Sequence, residues 1–258
     1  MQIARLARPL VLTLAIPLAA VLAPGGHAGA ASFGGPAVMG EYSANWGGYV
    51  ASGTTFSYVR ATFTVPKLNC AKTPGGTGNP TMVGEWVGLD TATVEQDGVQ
   101  GQCDGRNAQY WAWYEMYPKK PAYPGTAVHQ GDTIQASVWY AASKHEYELT
   151  LSDLTSHQGF VKWVPCGKSS CANSSAEVIT EAPGKVSGGG YYPLTDFGTA
   201  SFTGISITDT AGQHGTFTSG YWRTTRFQME GNSGRVKATV SGLAQNGTVF
   251  KAYWQHES

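Results

Sequence analysis

The chain has 258 residues, of which 17 are acidic and 17 basic, and charged residues make up 13% of it. In a typical globular protein about a quarter of the residues are charged. Without an excess of positive charge, nucleic acid and anionic membranes are disfavoured as partners.

The first 30 residues have the three parts of a secretory signal. Arg5 and Arg8 precede the apolar stretch from Pro9 to Leu22, and the small residues Ala28-Gly29-Ala30 follow. The apolar stretch has 14 residues, fewer than the 18 or so that a membrane span needs. We therefore predict a signal peptide at 1–30, a short mobile lead at 31–39 and a single domain at 40–258. The mature protein is expected to be extracellular, with no membrane contact.

All four cysteines follow this signal, at positions 70, 103, 166 and 171. An even number of cysteines in an exported chain favours disulfides over a thiol nucleophile or a metal site. Three pairings are possible. We favour Cys70 with Cys103 and Cys166 with Cys171, because the second pair closes a small loop.

Short apolar alternations separated by turn residues predict an all-β fold. The clearest alternations are Val59, Ala61, Phe63 and Val65; Ile134, Ala136, Val138 and Tyr140; Tyr147, Leu149 and Leu151; and Val236, Ala238 and Val240. Asn246-Gly247 predicts a tight hairpin turn. About a dozen strands at this spacing indicate a sandwich of two packed antiparallel sheets, of the concanavalin-like or jelly-roll type.

One predicted strand, from Tyr110 to Tyr117, places a single carboxylate among aromatic rings. Because strand side chains alternate between faces, Trp111, Trp113, Glu115 and Tyr117 share one face. Burial of a carboxyl group against apolar rings raises its pKa, as at many acid–base sites. The strand therefore marks a candidate cleft.

The sequence lacks the common motifs of other enzyme classes. It contains no HExxH, no GxSxG and no phosphate-binding glycine motif, and the five histidines after the signal are scattered. We therefore expect no metal and no cofactor. Carboxylate and amide groups remain as the candidate chemistry.

Four blocks of sequence resemble the glutamic peptidases, the eqolisin family of the scytalidoglutamic peptidase type. They are N-W-G-G at 45–48, W-V-G-L-D at 86–90 continuing to E-Q-D-G at 95–98, the aromatic strand with Glu115, and A-E-V-I-T-E at 176–181. Their order and approximate spacing match those of the family. The resemblance implies a β-sandwich, a glutamine–glutamate dyad and a secreted acid endopeptidase that acts on polypeptides.

Carried over position by position, the resemblance implies that Gln96 and Glu181 are the catalytic residues. The implied substrate-binding residues are Trp46, Trp86, Asp90, Trp113, Glu115 and Tyr117. Two positions depart from the family type, which has aspartates where this chain has Gln100 and Trp111. The loss of two acidic groups argues against an extremely acidic pH optimum.

Each of these residues also has an ordinary structural interpretation. The tryptophans are equally compatible with core packing, Asp90 with capping a turn, and Gln96 with a surface loop. Glu177 shares a strand face with Glu181 and is either a partner that shifts its pKa or a neighbour. Two other functions stay open: a glycoside hydrolase, and a carbohydrate-binding module, each using Glu115 and Glu181 in an aromatic cleft. We expect a monomer.

Overall fold

The computed structural model describes residues 38–76, 78–167, 171–185 and 189–258. The predicted signal peptide and most of the lead lie outside these residues. In the part described, no helix is long and apolar enough to cross a membrane. The first strand begins at Met39, next to the predicted start of the domain.

Fifteen strands make up the described chain, which confirms the all-β prediction. They are β1 (Met39–Ser43), β2 (Trp46–Ser52), β3 (Phe56–Thr64), β4 (Thr81–Leu89), β5 (Glu95–Asp104), β6 (Asn107–Met116), β7 (Thr133–Ala141), β8 (Glu146–Asp153), β9 (Gln158–Pro165), β10 (Ser175–Glu181), β11 (Thr199–Asp209), β12 (His214–Gly215), β13 (Arg223–Glu230), β14 (Val236–Val240) and β15 (Phe250–Trp254).

The strands form one continuous hydrogen-bonded ladder that folds over into two layers. Its order is β6-β5-β4-β10-β2-β13-β14-β15-β11-β3-β7-β8-β9, with β1 added beside β13 and β12 beside β11. Every pairing of named strands is antiparallel except that of β1 with β13. Strands β3 and β7, at one end of the ladder, face β4, β5 and β10 at the other. The predicted sandwich is therefore confirmed, and its two layers belong to one continuous hydrogen-bonded sheet.

The core fills the space between the layers. Val59, Ala61 and Phe63 of β3 and Val83 and Val87 of β4 are at most 1% exposed and belong to one apolar cluster. The apolar alternations of the sequence therefore mark the core-facing sides of the strands. In the turn between β14 and β15, Asn246 and Gly247 both have positive φ, as the predicted tight turn requires.

The two disulfides are those favoured by the sequence, Cys70–Cys103 and Cys166–Cys171, with Cα–Cα distances of 5.4 and 5.9 Å. Cys70 and Cys103 are buried in the core cluster. The first bridge therefore fastens the segment before β4 to the end of β5.

Several carboxyl groups are buried without an ion-pair partner. Glu85 and Asp97 point into the core, where no side-chain hydrogen bond within the described ranges pairs either carboxyl group. Burial raises the pKa of Glu85 to about 8 and that of Asp97 well above its usual value. Burial and the neighbouring Asp90 raise the pKa of Glu95 to about 8. Within the described residues, the two ion pairs, Lys72–Asp196 and His129–Asp132, involve none of these acids.

These acids make the stability of the fold depend on pH in a definite direction. A group with a raised pKa binds its proton more tightly in the folded protein than in the unfolded chain. Its contribution is therefore complete below the unfolded pKa of about 4.5 and is lost as the pH rises through about 8. We expect the urea midpoint to fall between pH 5 and pH 8.

Glu85→Gln tests the source of this fall, because glutamine mimics the protonated acid. The substitution should remove on the order of a few kcal/mol of the pH-dependent loss in unfolding free energy. The matched control is Glu41→Gln at an exposed position, which should leave the pH dependence unchanged. A midpoint that rises from pH 5 to pH 8 would contradict the assignment.

Candidate active site

The predicted site residues lie on the face of β6, β5, β4, β10, β2 and β13 that points away from the core, here called the site face. Strand register arranges this face in three transverse rows. The rows are Glu115–Gln96–Gly88–Glu177–Val50, then Trp113–Gly98–Trp86–Ile179–Gly48–Phe227, then Trp111–Gln100–Gly84–Glu181–Trp46. Both predicted catalytic residues therefore lie on one face, in the two outer rows.

A second apolar cluster covers the middle row. Trp86, Trp113 and Ile179 are buried there with Val50 and Val94, and Trp46 and Phe227 pack against them. This cluster shares no member with the core. Strands β4 and β10 are consequently buried on both faces. Polar groups that lie between the aromatic rings of this cluster are therefore in an apolar environment.

Glycines next to Trp86 give its indole room to lie along β4. A methyl group added at Gly88 would be 2.9 Å from Cζ3 of the indole, and one added at Gly84 would be 3.7 Å from Cδ1. A Cβ atom at Gly88 would therefore clash with the ring. At Gly84 the distance is an ordinary van der Waals contact, so Gly88 is the position that must stay small for the indole to lie along β4.

Glu181 has a hydrogen-bond donor on each carboxylate oxygen. Asn45 Nδ2 donates to Oε1 and Trp86 Nε1 donates to Oε2, each at 2.8 Å. Trp46 packs edge-on against Trp86, with ring centroids 5.2 Å apart. Glu181 is thus fixed in position while its side chain stays partly exposed.

Burial raises the pKa of Glu181 to about 7, although the donors Trp86, Asn45 and Trp46 oppose the shift. The charge of Glu115 adds to the increase, so the two carboxyl groups are close enough to interact. Burial also raises the pKa of Glu115 to about 7. Removal of the first proton from this pair therefore makes removal of the second harder.

Gln96 is 6% exposed and sits directly opposite Glu115 in the ladder. Its Nε2 donates a hydrogen bond of 2.7 Å to Glu115 Oε2, whereas its Oε1 is buried without a partner. The buried indole N–H of Trp113 and both oxygens of Glu177 are also unpaired. Buried polar atoms in folded proteins are normally hydrogen-bonded, so these unpaired atoms beside the Glu115–Gln96 pair make the site face a candidate for binding a polar ligand.

Glu177 lies in the same row as Gln96 and is completely buried. Burial raises its pKa well above the usual value, and the nearby Asp90 and Glu95 add to the shift. Glu177 therefore favours the neutral form over a wide range of pH and does not add a fixed charge to the site face.

Two predicted substrate-binding residues lie at the margins of this arrangement. Asp90 is 1% exposed with φ of 71°, and its carboxylate accepts hydrogen bonds from Ser174 Oγ at 2.9 Å and the Asn173 backbone at 3.2 Å. It therefore joins the end of β4 to the segment before β10, which agrees with the turn-capping interpretation. Tyr117 follows β6 and is 54% exposed, at the rim of the site face.

Sequence reasoning did not assign a role to Asn45 or Tyr123. The signal for Asn45 was its place next to Trp46, which pairs with Glu181. Tyr123 returns to the site through the pairing of Ala122 with Tyr114, and its hydroxyl contacts Gln100 Oε1 at 3.4 Å. Burial raises the pKa of Tyr123, and the charge of Glu115 adds to the effect. Because a loop brings Tyr123 to the site, no periodic pattern in the sequence indicates its position.

In the ranges that the structure describes, no group of three or more histidine, cysteine or acidic side chains is placed to hold a metal ion. The polar groups of the site face are carboxyl, amide and indole groups. Fold and site together define an all-β, two-layer protein whose candidate chemistry is carried by carboxyl and amide groups.

The chain belongs to the Peptidase A4 family, whose sequence profile matches residues 44–251. Aspergillopepsin-2 from Aspergillus niger is 29% identical over 187 residues, which are 65% of this chain and 65% of that protein. The chain thus spans slightly less than two thirds of that relative. The predicted membership of the glutamic peptidase family is therefore confirmed.

Solved structures agree with this assignment. Scytalido-glutamic peptidase with a transition state analog inhibitor is similar with a TM-score of 0.68 and 28% identity, over 82% of this chain and 98% of that one. SCP-B, a member of the eqolisin family in a complex with the tripeptide Ala-Ile-His, is similar with a TM-score of 0.65 and 26% identity, over the same shares. The glycoside hydrolase and carbohydrate-module interpretations of this face lose support accordingly.

Trp86→Phe tests whether the indole N–H sets the protonation of Glu181. Phenylalanine keeps an aromatic ring at this position but removes the donor. Loss of a hydrogen bond to a charged group costs roughly 1.5–3 kcal/mol, so peptidase activity should fall about 10- to 100-fold. The pKa of Glu181 should also rise, moving the acidic limb of the pH–rate profile toward higher pH.

The matched control is Trp254→Phe, which removes an indole N–H that donates to the backbone of Leu194. That variant should keep the wild-type pH–rate profile. An unchanged profile in Trp86→Phe would show that the hydrogen bond to Glu181 has no influence on the reaction.

Proposed function

We propose that this protein is a secreted endopeptidase, active on the acid side of neutrality, in which Gln96 and Glu181 form the catalytic dyad. The main support is the polar arrangement of the site face. It combines a carboxylate held by two donors with an amide that has an unpaired oxygen. Peptide hydrolysis needs an activated water, a stabilised oxyanion and a proton for the leaving amine.

Glu181 acts as the general base and then as the general acid. It takes a proton from the attacking water and returns it to the departing nitrogen. A pKa raised toward neutrality makes a carboxylate a stronger base than an exposed glutamate. The two donors, Trp86 and Asn45, limit the movement of the carboxylate, so the accepted proton stays near the leaving group.

Gln96 orients the water and stabilises the oxyanion. One N–H of its amide donates to Glu115, so the mechanism requires the side chain to turn its second N–H and its buried, unpaired Oε1 toward the substrate and the water. A single oxyanion donor is worth about 3 kcal/mol in other hydrolases. Gln96 and Glu181 do not hydrogen-bond to each other, and the proposal requires their side chains to reach one water between the rows.

The two coupled carboxyl groups, Glu181 and Glu115, have different roles in the catalytically active protonation state. Glu181 has donors on both oxygens, whereas Glu115 has one donor, Gln96. When the pair carries a single proton, hydrogen bonding therefore favours the charge on Glu181 and the proton on Glu115. Activity requires this singly protonated state.

Polypeptide substrates are bound by the apolar cluster of the site face. Trp46 is partly exposed and offers apolar surface to substrate side chains, whereas Trp86 and Trp113 are buried and support it. Glu115 offers a hydrogen bond to the peptide, and Tyr117 lies at the rim. Asp90 supports the site through the loop before β10. The peptide in the SCP-B complex agrees with a peptide substrate here. The protein acts as a monomer.

The dyad is tested by substitution in protein recovered from the culture medium with its N-terminus at Ala31. Gln96→Ala and Glu181→Ala should each abolish hydrolysis of denatured casein at acid pH, and pepstatin should not inhibit the wild type. Gln100→Ala, on the same face of β5, and Glu146→Ala are the matched controls and should retain activity. Full activity in either dyad variant would refute the mechanism.

The pH–rate profile tests the roles of the two carboxyl groups. For the wild type we expect a bell shape, with the acidic limb from protonation of Glu181 and the alkaline limb from ionisation of Glu115. Glu115→Gln cannot ionise at this position and should lose the alkaline limb. Removal of the Glu115 charge should also lower the pKa of Glu181 and move the acidic limb to lower pH.

The profile is to be measured as kcat/KM over a range in which urea midpoints show each variant to be folded. This control separates ionisation of Glu115 from the alkaline loss of stability. An alkaline limb that persists unchanged in folded Glu115→Gln would assign that ionisation to another group.

A further inference from the structure

The outer face of the second layer, opposite the site face, carries a row of aromatic and polar side chains across six strands. Register places Trp163 of β9, Glu148 of β8, Trp139 of β7, Tyr58 of β3, Thr208 of β11 and His214 of β12 in line. We call this set the outer row. Trp139 is 43% exposed and Trp163 39% exposed. The outer row plays no part in the proposed peptidase chemistry.

The two tryptophans of the outer row meet above Glu148. Their ring centroids are 5.7 Å apart at an interplanar angle of 73°, and Lys144 Nζ lies 4.0 Å from the ring centroid of Trp163. Lys144 therefore lies over the ring of Trp163. Trp139 and its neighbour Tyr58 remain as the aromatic surface accessible to a ligand.

A groove of about 410 Å³ runs beside these rings and is lined by Ser57, Tyr58, Ser137, Trp139, Glu148 and Thr208. It therefore combines aromatic surface with hydroxyl groups and one carboxylate. The Glu148 carboxylate accepts a hydrogen bond from Thr150 at 3.1 Å, so it is held on the surface. Aromatic surface with a few fixed polar groups is typical of small-ligand sites.

Sugar rings match this chemistry. A pyranose ring presents C–H groups on its faces, which pack on indole and phenol rings, and hydroxyl groups at its edge, which bond to carboxylate and hydroxyl oxygens. The groove lining contains one acidic side chain and no basic one. Within this lining an anionic ligand would meet the charge of Glu148 and no basic side chain, so the lining favours a neutral ligand.

An extended peptide fits this face less well. Strands β7 and β8 are hydrogen-bonded on both sides, so they offer no free edge to which a peptide could add as another strand. The free edge at this end of the ladder is β9, outside the groove lining, so recognition within the groove must come from side chains. A chain of sugar rings can be recognised by side chains in this way, without backbone pairing.

We propose that the outer row binds neutral polysaccharide, with Trp139 and Tyr58 as stacking residues and Glu148 as hydrogen-bond acceptor. Bound in this way, the peptidase would be held on a polysaccharide surface while its site face stays free. This proposal does not depend on the dyad, because the two faces belong to opposite layers.

Binding of the purified protein to microcrystalline cellulose and colloidal chitin tests the proposal. We expect the wild type to bind at least one of them, and soluble hexamers of the same sugar to compete and to change tryptophan fluorescence. Trp139→Ala should weaken binding at least about tenfold, as expected for an anchor aromatic. Glu148→Gln should weaken it less, because the amide still accepts a hydrogen bond.

Tyr221→Ala is the matched control, since Tyr221 is 56% exposed but lies outside the outer row. It should bind like the wild type, and casein hydrolysis should be the same in all these variants. Absence of binding to both polysaccharides, or equal binding by Trp139→Ala, would overturn the proposal. Binding of denatured casein, and not of polysaccharide, through Trp139 would identify a peptide site instead and would equally overturn it.

Discussion

Carboxyl groups removed from water without a cationic partner constrain both the fold and the site. Transfer of an ionised carboxylate into an apolar environment is costly, so such a group keeps its proton to a higher pH. Glu85 and Asp97 satisfy this condition in the core, and Glu115, Glu177 and Glu181 on the site face. One physical effect therefore favours folding in acid and supplies acids and bases for chemistry.

The site depends on small residues as much as on polar ones. Gly88 lets the Trp86 ring lie along β4, and the position of that ring decides where its N–H points. Gly98, in the middle row, has no space for a side chain, because an added Cβ would fall 2.7 Å from Cβ of Trp86. The carboxylate of Glu181 is consequently held by side chains whose own positions are fixed by backbone packing.

Much of the fold was predictable from sequence because β-strands of a sandwich bury alternate residues. The alternation in β3 and β8 identified core residues such as Phe63 and Leu149. The strand order was not predictable, because β10 lies between β4 and β2, strands far from it in the chain. The parallel pairing of β1 with β13 is equally non-local.

The site was predictable only in part, and mainly through family resemblance. The resemblance selected Gln96 and Glu181, whereas local sequence did not distinguish Gln96 from Gln100. The contact of Asn45 with Glu181 depends on strand pairing 136 residues apart. The structural role of Asp90 depends on Ser174, 84 residues away. Hydrogen bonds of such long range have no periodic trace in a single sequence.

The two acid–base contacts found in the described part of the chain, Lys72–Asp196 and His129–Asp132, both include a well-exposed basic side chain. Dissolved electrolyte weakens attractions between exposed charges, with a screening distance of about 10 Å at 0.1 M. Such exposed pairs typically contribute about 1 kcal/mol or less. Cohesion of this β-sandwich rests instead on apolar contact and on backbone hydrogen bonds between strands, so brine should affect it very little.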